Sequence, residues 1–146
     1  MLRLRISGFT GEAGDIVVTA SHAGLWTDSR YFIQAAEQLQ GTGFELHKTR
    51  LPESVDIPQW LSGQGCRTVV CDGLCESASS MEQIREACAD IRDFSLVSVP
   101  DLMDDVWSDR PGIPSSPIIT LDEATVGMTR VEKLEWIRLW LKSQGG

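Results

Sequence analysis

This 146-residue chain has two histidines, one tyrosine and four cysteines. No stretch reaches the about 18–20 consecutive apolar residues that a membrane-spanning helix requires. The start, MLRLRISGF, is too short and too interrupted in its apolar residues for a secretory signal. The expectation is therefore a soluble, cytosolic protein with no membrane partner. Cys66, Cys71, Cys75 and Cys88 match no paired CxxC zinc pattern. They read instead as reduced, mostly buried small hydrophobes. Neither His22 nor His47 has acidic neighbours at ligand spacing, so both read as solvated and no metal site is expected in this chain. Cationic residues are also scarce. Thirteen Lys and Arg stand against twenty-one Asp and Glu, for a net charge of −8 and a pI near 4.7. That balance argues against a nucleic-acid partner. There is no GxSxG elbow and no cysteine with a credible histidine partner, so a free-standing hydrolase has no support.

What is present is ordinary globular material. Apolar residues make up 42% and charged residues 23%, and the length suits one domain with a real core. The organising stretch runs from Gly8 to Gln40, GFTGEAGDIVVTASHAGLWTDSRYFIQAAEQLQ. DIVVTA and GLWTD are β-branched and aromatic runs bounded by turn residues, which predicts two strands. Ser21–Gly24 forms the turn of an antiparallel hairpin, with His22 at its tip. The period then changes, and Phe32, Ala35, Ala36 and Leu39 share one helix face. Gly8, Gly11 and Gly14 have the spacing of a phosphate cradle. This loop opens a strand rather than a helix, however, and it carries Glu12 and Asp15, so the glycines read as a tight turn.

Arg30 is the informative residue. Asp28 or Ser29 can cap the helix that starts here. Arg30 follows in the first turn, where the helix dipole disfavours a cation. It lies about 200° around the helix from Phe32, away from the apolar face. Such a residue adds nothing to helix stability. On pattern alone it is either a surface arginine paired with Asp28 or a functional contact.

The segments GFTGEAGDIVVTA…GLWTDSRYFIQAAEQL, DLMDDVWSDRPGIPSSPII and GMTRVEKLEWIR, in that order, resemble the N-terminal, creatinase-like domain of Xaa-Pro aminopeptidases. The resemblance covers nearly the whole chain. It implies that Arg30 is a substrate-binding residue contributed to the active site, and it carries that role to no other residue. Ser29 stands where the family usually has glycine, and Glu12 stands within a usual GSAG; both departures fall in turns.

The remainder of the chain alternates strands and helices. MLRLRI has a strand-like period of two, and the family has a further segment ahead of it. FELHKTR reads as a strand. A helical turn surrounds Trp60, and RTVVCDG suits a central strand. A capping box at Ser79–Glu82 opens a helix that buries Ile84, Ala87, Cys88 and Ile91. FSLVSV is a strand ended by Pro100, and DLMDDVW is a short acidic helix. Residues 111–117 hold three prolines and read as a stiff linker. Thr129 and Glu132 make another capping box. The helix beyond it sets Val131, Leu134, Ile137 and Leu141 on one stripe beside Trp136 and Trp140, an apolar face that needs a partner.

The order strand, strand, helix, strand, helical turn, strand, helix, strand, helix predicts an α/β fold with a mixed β-sheet and flanking helices. The resemblance implies that this arrangement is ribonuclease-H-like. It also implies a creatinase-like domain over residues 1–128 and a helix over 129–146 that leads into a second domain absent from the chain. By the same resemblance, the parent is an Xaa-Pro aminopeptidase acting on peptides with proline in second position. Its two divalent metals, commonly manganese, lie in a pita-bread domain outside this sequence. On that reading the chain binds no cofactor, is inactive alone, and works with the middle and catalytic domains of its parent in a homodimer. The alternative is a non-catalytic dimerisation or interaction module.

Overall fold

The computed structural model describes residues 2–100, 102–103, 107–112 and 114–145. Two compact units are present, Met1–Arg110 and Pro111–Gly146. The first is mixed α/β and contains two small sheets.

The chain opens with helix α1 (Leu2–Ser7), not the strand that the alternation suggested. Leucine and arginine are good helix formers and lack the β-branching that favours strands. Gly8 ends the helix at φ 77°, with its N–H bonded to the Leu4 carbonyl at 2.9 Å. This is a left-handed stop that glycine adopts without penalty.

Strands β1 (Asp15–Val18) and β2 (Ala23–Thr27) form the expected antiparallel hairpin. A 3₁₀ turn (Ser29–Tyr31) leads into α2 (Phe32–Gln38), which crosses over to β3 (Glu45–Lys48). Because of this crossover, β3 pairs parallel to β2, and β2 becomes the middle strand. Side chains alternate across that sheet. One face presents Leu25, which packs with Phe9, Ala35 and Leu39 in a core joined by Ile16 and Leu46. Ala35 and Leu39 of the expected helix face are buried, whereas Ala36 is exposed. Gly11 and Gly14 serve the turn, as expected: a Cβ on Gly11 would collide with the Phe9 ring.

The opposite sheet face meets α3 (Ile57–Gly63). Asp56 caps this helix by accepting from the Gln59 N–H at 3.0 Å. Leu61 packs with Ile84 and Cys88 of the next helical segment, and Val17 and Trp60 close the cluster. Strand β4 (Thr68–Asp72), helix α4 (Ala78–Ala87) and strand β5 (Ser95–Val99) form a second parallel crossover unit. Among the described residues β4 pairs with β5 alone, so RTVVCDG is not central in the sheet sense. Ser77, not Ser79, caps α4, and its hydroxyl accepts from the Ser80 N–H at 3.0 Å. The turn anchored on Asp72, whose carboxylate accepts from the Leu74 N–H at 2.9 Å, delivers the chain to helical geometry two residues early. Cys71 and Cys88 are buried, whereas Cys75 is exposed; all four thiols are free. The acidic helix expected at DLMDDVW falls largely outside the described residues.

In the second unit, residues 114–121 carry no regular secondary structure and are exposed. A short helix α5 (Glu123–Val126) precedes α6 (Arg130–Ser143). The Thr129–Glu132 capping box is present in full: Glu132 N–H to the Thr129 hydroxyl is 3.2 Å, and Thr129 N–H to the Glu132 carboxylate is 2.8 Å.

Candidate functional site

Arg30 sits just beyond the C-terminal end of the middle strand, where three contacts fix the backbone. Thr27 is buried, and its hydroxyl donates to the Ala13 carbonyl at 2.7 Å, tying β2 to the glycine loop. Thr10 in the same loop donates its N–H to the Gln38 side chain of α2 at 2.9 Å. Asp28 caps the 3₁₀ turn, accepting from the Arg30 N–H at 3.1 Å.

The Asp28 carboxylate then holds the guanidinium itself. Arg30 Nε donates to Oδ1 at 2.9 Å and Nη2 to Oδ2 at 2.7 Å, a two-point fork. The guanidinium also lies 5.3 Å from the centre of the Tyr31 ring, a cation–π contact. Tyr31 in turn meets the buried Phe9 edge-on at 5.8 Å. The pairing expected of a surface arginine is thus present, and the charged group is oriented by the core as well. The Arg30 side chain remains 67% exposed while Asp28 is only 13% exposed. Nη1 is not part of the fork. The hydrogen bond from Arg30 lowers the Asp28 carboxyl from 3.8 to about 2. The same bond raises Arg30, so both groups are charged at neutral pH. This geometry can present a fixed cation to a carboxylate or carbonyl oxygen.

The two histidines are not solvated singly, as the sequence reading had them. Register pairs Gly24 with Glu45 and Trp26 with His47. His22, Gly24 and Trp26 therefore lie along one face of the hairpin arm, with Glu45 and His47 beside them on β3. His47 stacks on Trp26 with ring centres 3.8 Å apart and planes 4° apart. Trp26 is anchored by its indole N–H to the Val55 carbonyl at 3.0 Å. His22 lies 4.7 Å from Trp60 of α3, and its Nε2 is 3.2 Å from Nε2 of His47. Glu45 approaches the other nitrogen of His22, at 3.7 Å. Burial lowers the His47 pKa, with the His22 ring adding to that effect and Glu45 opposing it. Gly24 makes the assembly possible: a Cβ there would stand 2.5 Å from Trp26, 2.7 Å from His22 and 2.9 Å from His47. The sequence signal was the pair of alternating runs, His22-x-Gly24-x-Trp26 and Glu45-x-His47. The missing information was the parallel pairing that sets them side by side.

Burial raises Cys71 and Cys88, and burial together with Asp72 raises Cys75, which keeps all three in the protonated form at neutral pH.

Comparison with known proteins agrees with this architecture. The Creatinase/Prolidase N-terminal domain family matches residues 6–106. Xaa-Pro aminopeptidase app-1 of Caenorhabditis elegans is 34% identical over 142 residues, covering 95% of this chain and 23% of the relative. Xaa-Pro aminopeptidase 2 of Sus scrofa is 43% identical over 141 residues, covering 93% of this chain and 20% of the relative. The chain thus spans about a fifth to a quarter of the length of these relatives. Among solved structures, X-prolyl aminopeptidase from Caenorhabditis elegans, described as a cytosolic enzyme with a di-nuclear active site, superposes with a TM-score of 0.74 at 31% identity. That superposition covers 98% of this chain and 24% of the other. By fold and by sequence, this chain belongs to the Creatinase/Prolidase N-terminal domain family.

Proposed function

We propose that this chain is the N-terminal domain of a cytosolic Xaa-Pro aminopeptidase and that it binds and positions the peptide substrate through Arg30. The observation that carries the reading is the exposed guanidinium forked onto Asp28 and backed by Tyr31. A cation fixed in this way adds orientation to a bound peptide at little further entropic cost. The bond-breaking chemistry belongs to a separate catalytic domain of the parent enzyme. Two divalent ions held there, manganese in this proposal, would supply the Lewis-acid chemistry. On this reading the 146 residues alone do not turn over substrate. Residues 1–128 form the creatinase-like domain, and 129–146 lead toward the next one.

A second reading, subunit contact, draws on α6. Leu134, Ile137 and Leu141 are 45–50% exposed and Trp136 is 61% exposed, an apolar stripe suited to a homodimer or to the parent's next domain. Arg30→Ala in the full-length enzyme separates the two. Lower kcat/KM on an Xaa-Pro peptide with an unchanged molecular mass in light scattering supports substrate positioning. Unchanged kcat/KM in Arg30→Ala removes Arg30 from the substrate site, and loss of the dimer on Leu134→Ser in α6 supports the contact reading.

A further inference from the structure

We propose that His22, Glu45 and His47 form a binding site for one divalent transition-metal ion of the zinc class. The inference rests on placement and is independent of the role assigned to Arg30. One donor atom from each of the three side chains lies within 4.8 Å of a donor from each of the others. Two imidazoles and a carboxylate are a donor set that zinc accepts, with water completing its shell. Imidazole nitrogens also select zinc, nickel or copper over magnesium or calcium, which take oxygen ligands.

The distances fit. Ligands at zinc–nitrogen bond lengths in a tetrahedron stand roughly 3.4 Å apart, and the two Nε2 atoms are 3.2 Å apart. Glu45 lies 3.7 Å from Nδ1 of His22 and is mostly exposed, so its carboxylate has the freedom to complete the set by a side-chain rotation toward the Nε2 side. The histidines are held more firmly. His47 is stacked flat on Trp26, His22 lies against Trp60, and Gly24 leaves the space in which both rings meet. Aromatic support of this kind orients first ligands and limits what they lose on binding. The acidic balance of the chain, −8 overall, favours a cation. The site would link the β1–β2 turn to β3 and stabilise that edge of the sheet when the ion is present.

Without metal, the two Nε2 atoms share a single hydrogen bond, in which one ring donates and the other accepts. With metal, both must turn lone pairs to the ion, so both rings carry their proton on Nδ1. The chain has only two histidines, and their ring nitrogens can be followed individually by NMR. We expect one equivalent of Zn(II), added to chelator-treated protein, to move both ring signals to the Nδ1–H form. Binding should be micromolar or tighter, and Tm should rise with Zn(II) concentration. Glu45→Gln, a substitution at an exposed position, should keep the fold and weaken Zn(II) by at least about tenfold, the loss that even an outer partner produces. His22→Asn should abolish the response of the His47 ring. Ring signals unmoved by Zn(II) would overturn the site and leave an imidazole–imidazole hydrogen bond only. Unchanged affinity in Glu45→Gln would overturn the three-ligand set. Zinc uptake that leaves both rings silent, as binding at exposed Cys75 would, counts equally against it.

Discussion

Gly24→Ala tests whether the histidine–tryptophan face is as tightly assembled as its distances imply. The new methyl would meet Trp26 Cζ3 at 2.5 Å, His22 Nε2 at 2.7 Å and His47 Cδ2 at 2.9 Å. Trp26 cannot yield easily, because it is only 2% exposed and is bonded through its indole N–H to Val55. Overpacking of a filled site costs about 1–3 kcal/mol. Against that, alanine restricts the unfolded chain and returns about 0.4–1 kcal/mol. The net expectation is a loss of about 1–2 kcal/mol, or roughly 2–8 °C in Tm for a chain of this size. Gly63→Ala is the internal control. Gly63 closes α3, and a Cβ there meets nothing within 4 Å, so that variant should gain up to about 1 kcal/mol. Urea unfolding followed by tryptophan fluorescence measures both. If Gly24→Ala is neutral or stabilising like its control, the rings have room to move and the close-packed account of this face is wrong.

Other substitutions probe the remaining links. Asp28 has a folded pKa of about 2 against an ordinary 3.8. The stability it contributes is therefore complete above about pH 4 and lost as pH falls toward 2. The gap in urea midpoint between wild type and Asp28→Asn should be constant from pH 7 to 5 and close between pH 4 and 2; a gap that persists at pH 2 would contradict the ion pair. Leu25 is fully buried between the glycine loop and α2, so Leu25→Ala should cost about 2–5 kcal/mol in the same unfolding assay. Thr129→Ala removes the hydroxyl half of the α6 capping box, the bond from the Glu132 N–H, and should cost about 1 kcal/mol. Faster amide exchange in the first turn of α6, with β2 unaffected, would register it.

How far the sequence could be read depended on the range of the interactions involved. The β1–β2 hairpin, a cap at Asp28 or Ser29, the Thr129–Glu132 box and the strand character of β3 to β5 were all legible, because each is set within a few residues. Arg30 was placed correctly on the exposed side of its turn for the same reason. The failures lie where a local pattern was ambiguous or where distant segments decide. The short alternation in MLRLRI fits a helix as well as a strand, and Gly8 decides between them only once its left-handed φ is known. Three serines compete to cap α4, and the turn anchored on Asp72 selects Ser77. The meeting of His22 with Glu45 and His47 depends on the parallel register of β2 and β3, which no local period encodes.

The most direct test of the central claim is steady-state kinetics of the full-length enzyme on an Xaa-Pro peptide, comparing wild type with Arg30→Ala and Arg30→Lys. A charge-assisted contact to bound substrate is worth about 1.5–3 kcal/mol, which corresponds to a fall in kcat/KM of roughly ten- to a hundredfold. Lysine should recover part of that loss, since it keeps the charge but cannot fork onto Asp28. A kcat/KM unchanged in Arg30→Ala would show that the guanidinium serves only its pairing with Asp28 and would remove substrate positioning from this domain's role.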